Sequence, residues 1–229
     1  RILSVDDLPD VDSFLAALVA PGARRMGIDS PLGMPRVFWD SLGLTDWESG
    51  VATIGLWGRP GWVARCGAYL GPNGERELFR PCDRIARACS PMKCYFIPVA
   101  RMFHLVAPAL AASDVSVLPH RPTESSVEAV EAYPTLSIQT LTGNRSYKSD
   151  KADTSAKRAN RFLAVARLRE EGIYGLQIDG LPENIEEDSK ADRLDAVFCA
   201  LQAAKSYRTP MPEVDLIEGW IAGLDPESA

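Results

Sequence analysis

The sequence predicts an α/β fold, a sheet of at least four strands covered by helices. Three observations carry that expectation. Short apolar strand patterns alternate with helix patterns from one end of the chain to the other. Strand-then-helix units imply parallel pairing, with helices laid on the faces of the sheet. Finally, one aspartate, Asp29, stands where a strand in RRMGIDSPLGMPR (24–36) breaks into a Pro- and Gly-rich loop. Asp is poor strand material, and open α/β sheets bind ligands beyond the carboxyl ends of their strands.

The elements follow in order. Residues 1–5 (RILSV) read as the end of a strand. Asp12 is placed to N-cap a helix through SFLAALVA, which Pro21-Gly22 stops. Strand 25–29 comes next. Helical pieces follow at 37–43 and 46–70, the second broken by GRPG (58–61). With shorter helices at 83–88 and 99–112, they make a helical insertion over about 37–112. Its tryptophans (Trp39, Trp47, Trp57, Trp62) read as core. Strands are predicted at 115–118 and 127–132. A polar, mobile loop spans 143–153, and a helix runs from Thr154 to Glu171, ended by Gly172. A strand-like IYGLQI precedes an acidic loop, and the last helix covers 191–205. Length and an ordinary 46% hydrophobic content fit one domain over 1–229.

Composition removes several function classes. Five cysteines (Cys66, Cys82, Cys89, Cys94, Cys199) include no C-x-x-C pair, which points to reduced thiols and a cytoplasmic protein. The spacing of Cys82, Cys89 and Cys94 is looser than a zinc knuckle. Two histidines, His104 and His120, leave little for a nucleophile–His relay. No apolar run approaches the roughly 20 residues of a membrane span, and no secretory signal opens the chain. Neither G-x-G-x-x-G nor a P-loop is present. Net charge is −6, so any attraction to nucleic acid has to come from local patches.

The carboxylates are more informative. Asp188, Asp192 and Asp195 fall four and three residues apart, on one helical face. Cys199 and Ala203 continue that face, and Leu194, Val197, Phe198 and Leu201 lie opposite, so the helix is expected to be buried nearly all round. N-capping accounts for Asp188 or Asp192 but not for Asp195, inside the helix. Glu131 ends the strand in VEAVEAYP. If the sheet aligns these ends, Asp29, Glu131, Asp192 and Asp195 converge. Clustered carboxylates need a cation to stay ionised together, and oxygen-only donors suit Mg²⁺ or Mn²⁺. Such ions polarise phosphate and activate water.

GIDSPLGMP, RPCDRIAR, VEAYPTLSI and DRLDAVFCALQAA followed by EGWI resemble, in similar order over nearly the whole chain, a family of uncharacterised proteins. Its members are predicted nucleases of the ribonuclease H-like superfamily, nearest the Holliday-junction-resolvase type. The resemblance implies a mixed sheet: an antiparallel three-strand start, a helix, then parallel strands flanked by helices. It implies a Mg²⁺- or Mn²⁺-dependent hydrolase of nucleic-acid phosphodiesters. Asp29, Asp192 and Asp195 would be metal ligands, and Glu131 a further ligand or a base. The family's first strand carries its own aspartate, and here RILSV would already be the third strand. Either the chain lacks an initial hairpin, or a ligand has been lost and the protein is an inactive binding or interaction module.

Between Arg145 and Arg169 lie eight basic residues, opposed by Asp150 and Asp153. Lys148, Lys157, Arg158 and Arg161 are the candidates for substrate phosphate, with Arg158 and Arg161 on one face for bidentate contact. Nucleic-acid binding would then be modest and salt-sensitive. RPCDR reads as a local bridge between arginine and Asp83. Oligomeric state is left open.

Overall fold

Residues 1–22, 24–149 and 151–228 are described by the structure, a computed structural model. Its regular elements are α1 (Val11–Val19), β1 (Arg24–Ile28), α2 (Arg36–Ser41), α3 (Trp47–Ala68), α4 (Pro81–Ala86), α5 (Val99–Ala111), β2 (Ser116–Leu118), β3 (Val127–Glu131), α6 (Pro134–Thr142), α7 (Ser155–Glu170) and α8 (Asp192–Arg208). The fold is α/β: a small open parallel sheet flanked by helices.

Among the described residues the sheet has three strands, in the order β1-β3-β2, and every pairing is parallel. That corrects the expected four or more strands and the expected mixed sheet. Residues 1–5 find no strand partner among the described residues. Instead Ile2 and Val5 pack against the α6–α7–α8 cluster, and the Ile2 N–H donates to the Asp179 carbonyl at 2.7 Å. IYGLQI is a tight turn, because Tyr174 and Gly175 both take left-handed backbone angles (φ 56° and 70°) and fold Ile173 back onto Leu176. Helix α6 was not anticipated, although Pro134 at its start and left-handed Gly143 at its end are standard helix punctuation. Helix α1 is capped by Asp10, whose Oδ1 accepts the Ser13 N–H at 2.8 Å, rather than by Asp12.

Two apolar cores hold these layers. One lies under β1 and β3 against α2, α3 and α5, with Trp39, Trp47 and Trp62 fully buried in it. Gly58 (φ 66°), followed by Pro60, bends α3 across that core. The second core joins α6, α7 and α8. Helix α8 connects the two and crosses β1 at Gly27; Leu194, Asp195, Val197, Phe198 and Leu201 are among its buried side chains, but Arg193, Ala196, Ala200, Ala204 and Tyr207 form an exposed stripe, which corrects the expected burial nearly all round. A Cβ at Gly27 would lie 2.1 Å from the Cys199 carbonyl oxygen, so only glycine allows strand and helix to approach this closely. Among the described residues no helix is long and apolar enough to cross a membrane.

Candidate functional site

The site is assembled at the carboxyl end of the sheet. Ile28 pairs with Glu131, so β1 and β3 stop at one level, and Asp29 stands one residue beyond. The chain cannot continue as strand through Pro31, and the Leu32 N–H turns back to donate to Glu131 Oε2 at 2.8 Å. Across from this corner α8 begins. Asp188 accepts the backbone N–H groups of Lys190 (3.0 Å) and Asp192 (3.1 Å) just ahead of the N-cap position, which Ala191 occupies. Asp192 and Asp195 occupy the first turn beyond it. Because Gly27 lets α8 close on β1, Asp29, Asp192 and Asp195 line one cleft of about 540 Å³. A neighbouring cleft of about 390 Å³ shares Asp29, Asp192 and Lys148 and adds Glu131, Tyr133 and Lys190.

The four predicted carboxylates meet different fates. Asp195, 6% exposed, is bonded at both oxygens. Tyr147 donates its hydroxyl to Oδ1 at 2.5 Å, and the Lys148 ammonium donates to Oδ2 at 2.5 Å. Burial raises the Asp195 pKa against the pull of Lys148. Asp29 is half-buried. Its pKa is pushed up to about 6, chiefly by burial; Lys148 draws it down, while Asp195 and Glu131 push it up further. Asp192 is exposed at the rim. Glu131 reaches the same corner, but its oxygens are taken by Arg80 (2.7 and 2.5 Å) and by the Leu32 N–H. Arg80, itself 1% exposed, also binds Asp83 at 2.7 Å, so the bridge expected within RPCDR extends to the end of β3. Glu131 is therefore fixed in an Asp83–Arg80–Glu131 triad that positions the loop after β1, which corrects its expected role as a ligand or base.

Of the four predicted phosphate-binding cations, only Lys148 reaches the cleft. Burial would lower its pKa, yet Asp195, Asp29 and Asp192 together raise it. Arg158 is exposed and forms a forked pair with Glu187 at 2.7 and 2.8 Å. Arg161 corrects the expectation outright. It is wholly buried, pairs with Asp153 at 2.7 and 2.8 Å, and donates to the carbonyls of Tyr147 and Glu186. Beside it, Asn160 donates to the carbonyls of Asn144 and Ser146. This part of α7 is a clamp for the loop carrying Tyr147 and Lys148. Lys157 lies in the first turn of α7, where Thr154 Oγ1 accepts its backbone N–H. Asp150 lies outside the described residues. Sequence reasoning missed Tyr147 and Lys190; an aromatic residue within a polar loop was the one available signal for Tyr147.

Residues 98–212, half of the chain, match the family described as protein of unknown function (DUF429). The chain belongs to this DUF429 family. No curated protein and no solved structure matches it. The DUF429 match takes in Glu131, Tyr147, Lys148, Asp192 and Asp195, while Asp29 and Arg80 precede it.

The carboxylates can be tested against a divalent cation. Asp29, Asp192 and Asp195 offer the hard oxygen donors that Mg²⁺ or Mn²⁺ prefers. Burial and neighbouring charge, rather than hydrogen bonds, act on Asp29. Spacing differs from chemistry, however. Among the described residues no three acidic, His or Cys side chains are gathered as a ligand set, and Lys148 sits on Asp195. The donor chemistry suits such an ion, but the three side chains are not gathered closely enough to form a ligand set.

Proposed function

We propose that this DUF429 protein is a divalent-metal-dependent nuclease of ribonuclease H-like type, hydrolysing phosphodiester bonds of nucleic acid in the cytoplasm. The observation that carries the reading is the meeting of Asp29, from a strand end, with Asp192 and Asp195, from a helix start, in one cleft. Asp29 is distant in sequence from the other two, and a half-buried carboxylate is costly unless a cation faces it. Asp29, Asp192 and Asp195 would hold Mg²⁺ or Mn²⁺. The ion would polarise a phosphate and lower the pKa of a water nucleophile. Tyr147, 1% exposed, orients Asp195. Arg80 and Glu131 set the loop that presents Asp29. Lys148 and Lys190 supply positive charge to the second cleft, where a phosphate would lie. Five free cysteines support the cytoplasmic assignment.

The test is cleavage of a panel of single- and double-stranded DNA and RNA with Mn²⁺, comparing the wild type with Asp195→Asn. Loss of about 100-fold or more in rate is expected for a group that orients charge at the reacting centre. Wild-type rates in the variant would remove Asp195 from the chemistry. A second reading, an inactive binding module, is favoured by one observation: the Lys148–Asp195 ion pair already balances the most buried of the three acids. Wild-type protein that cleaves no nucleic acid in the panel, yet binds nucleic acid independently of Mn²⁺, would select that reading.

A further inference from the structure

The loop between α4 and α5 carries three side chains that neither the core nor the acidic cleft uses. Tyr95, Phe96 and Ile97 are consecutive, large and apolar, and they are exposed by 57%, 95% and 56%. We infer that Tyr95 and Phe96 form a base-stacking platform at the mouth of the second cleft, so that the substrate is a single-stranded nucleic acid. This rests on the nuclease reading above for the class of ligand and adds the strand state.

Three features of the structure support it. First, the rings are held outward on a fixed base. Ser90 and Met92 beneath them are buried, Ser90 Oγ donates to the Leu78 carbonyl at 2.6 Å, and the Ala100 N–H closes the loop onto the Lys93 carbonyl at 2.9 Å. Phe96 takes a left-handed backbone angle (φ 57°), an outlier for a bulky residue that persists only where the surrounding structure enforces it. An exposed run of large apolar side chains is the mark of a binding surface. Second, the two rings do not stack on each other. Their centroids lie 5.6 Å apart with planes at 73°, edge to face, which leaves the exposed Phe96 ring a flat face for a nucleobase. Third, cations are interleaved with the aromatics. The Lys93 ammonium lies 5.3 Å from the Tyr95 ring centroid, and Ile97, next to Phe96, lines the second cleft together with Lys148 and Lys190. Lys93 and Lys190 make no ion pair among the described residues. Positive charge for the phosphates beside aromatic faces for the bases is the chemistry that binds a single strand without regard to sequence. A duplex, whose bases are already paired and stacked, presents no free base face to such rings.

The experiment is fluorescence anisotropy of a short labelled mixed-sequence DNA strand, and of the same strand in a duplex, titrated with the wild type, Phe96→Ala and Phe96→Trp. EDTA is present so that no cleavage intervenes, and circular dichroism first shows each protein to be folded. The wild type should bind the single strand more tightly than the duplex. Phe96→Ala should lose about tenfold in single-strand affinity, a difference near 1.4 kcal/mol and within what the stacking of one base contributes, while its duplex binding stays unchanged. Phe96→Trp should keep the single-strand affinity, and its added indole emission should be quenched by the single strand beyond any change in the wild type. Duplex bound as tightly as single strand by the wild type, or no added quenching in Phe96→Trp, would overturn the platform. Unchanged single-strand affinity in Phe96→Ala would overturn it as well and leave the nuclease reading standing; self-association lost in that variant on size exclusion would then assign the loop to a second copy of the chain. Absence of binding to either strand state by the wild type would overturn both the platform and the nucleic-acid reading.

Discussion

Two acidic residues at the ends of adjacent strands, Asp29 and Glu131, show how placement decides the state of a carboxylate. Glu131 is the more deeply buried, but Arg80 answers its charge directly through two hydrogen bonds. Asp29 has no such partner, and burial lifts its pKa from 3.8 to about 6. The folded protein therefore binds the Asp29 proton more tightly than the unfolded chain does. Its contribution to stability falls as pH rises through the window from about 4 to about 6. The full shift corresponds to about 3 kcal/mol, and partial solvent access reduces this to about 1–2 kcal/mol. Asp29→Asn should thus be more stable than the wild type by about 1–2 kcal/mol at pH 7, with the gain shrinking to a few tenths at pH 4. Urea denaturation at the two pH values measures this. A gain that does not change with pH would mean that ionisation of Asp29 carries no penalty. Stabilisation on removing a charged side chain is the expected mark of a residue placed for function.

At the level of elements, the contact between β1 and α8 makes the site. The strand contributes Asp29, the helix contributes Asp192 and Asp195, and Gly27 sets their separation. Gly27→Ala puts a methyl group against the Cys199 backbone, which cannot rotate away as a flexible side chain would. The cost should be about 3 kcal/mol, read as a fall in the urea midpoint at an unchanged m-value. The same variant should weaken Mn²⁺ binding even though it alters no charge, because α8 must shift away from β1. Retained stability would show that the two elements can part without loss. The sequence made α8 legible but overstated its burial, because the alanines at 196, 200 and 204, which count as apolar in the pattern, lie on an exposed stripe. It did not reveal the close contact. Gly27 sat within a plausible strand, and a glycine in a strand signals close approach without saying to what.

Across the whole molecule, what could be read depended on whether one segment or a meeting of segments was at issue. The interleaved strands and helices, the end of β1 at Asp29 and the cap at Thr154 were visible, because each is written in consecutive residues. The strand at 1–5 was misread because its apolar pattern serves packing against α6–α8, and pattern alone does not distinguish that from sheet pairing. The basic stretch misled in the same way. Its arginines looked like a cationic face, yet their partners, Glu187 and Asp153 among them, lie on other segments or beyond a turn. Arg145 and Arg167 donate to backbone carbonyls, and Arg169 stands 3.7 Å from Glu186. This internal neutralisation has a consequence for the proposed substrate. The net charge is −6, and within 145–169 only Lys151 and Lys157 have side chains without an ion pair or hydrogen bond among the described residues. Few phosphates can then be neutralised on binding. The dependence of log K on log salt for a DNA duplex should have a slope of only about −2 to −3, corresponding to two or three released counterions. Fluorescence anisotropy of a labelled duplex between 50 and 300 mM KCl, a span of roughly the range over which counterion release is usually read, would measure it. A slope steeper than about −5 would mean that more phosphates are neutralised than the residues of 145–169 account for, and would move the nucleic-acid interface away from the acidic cleft.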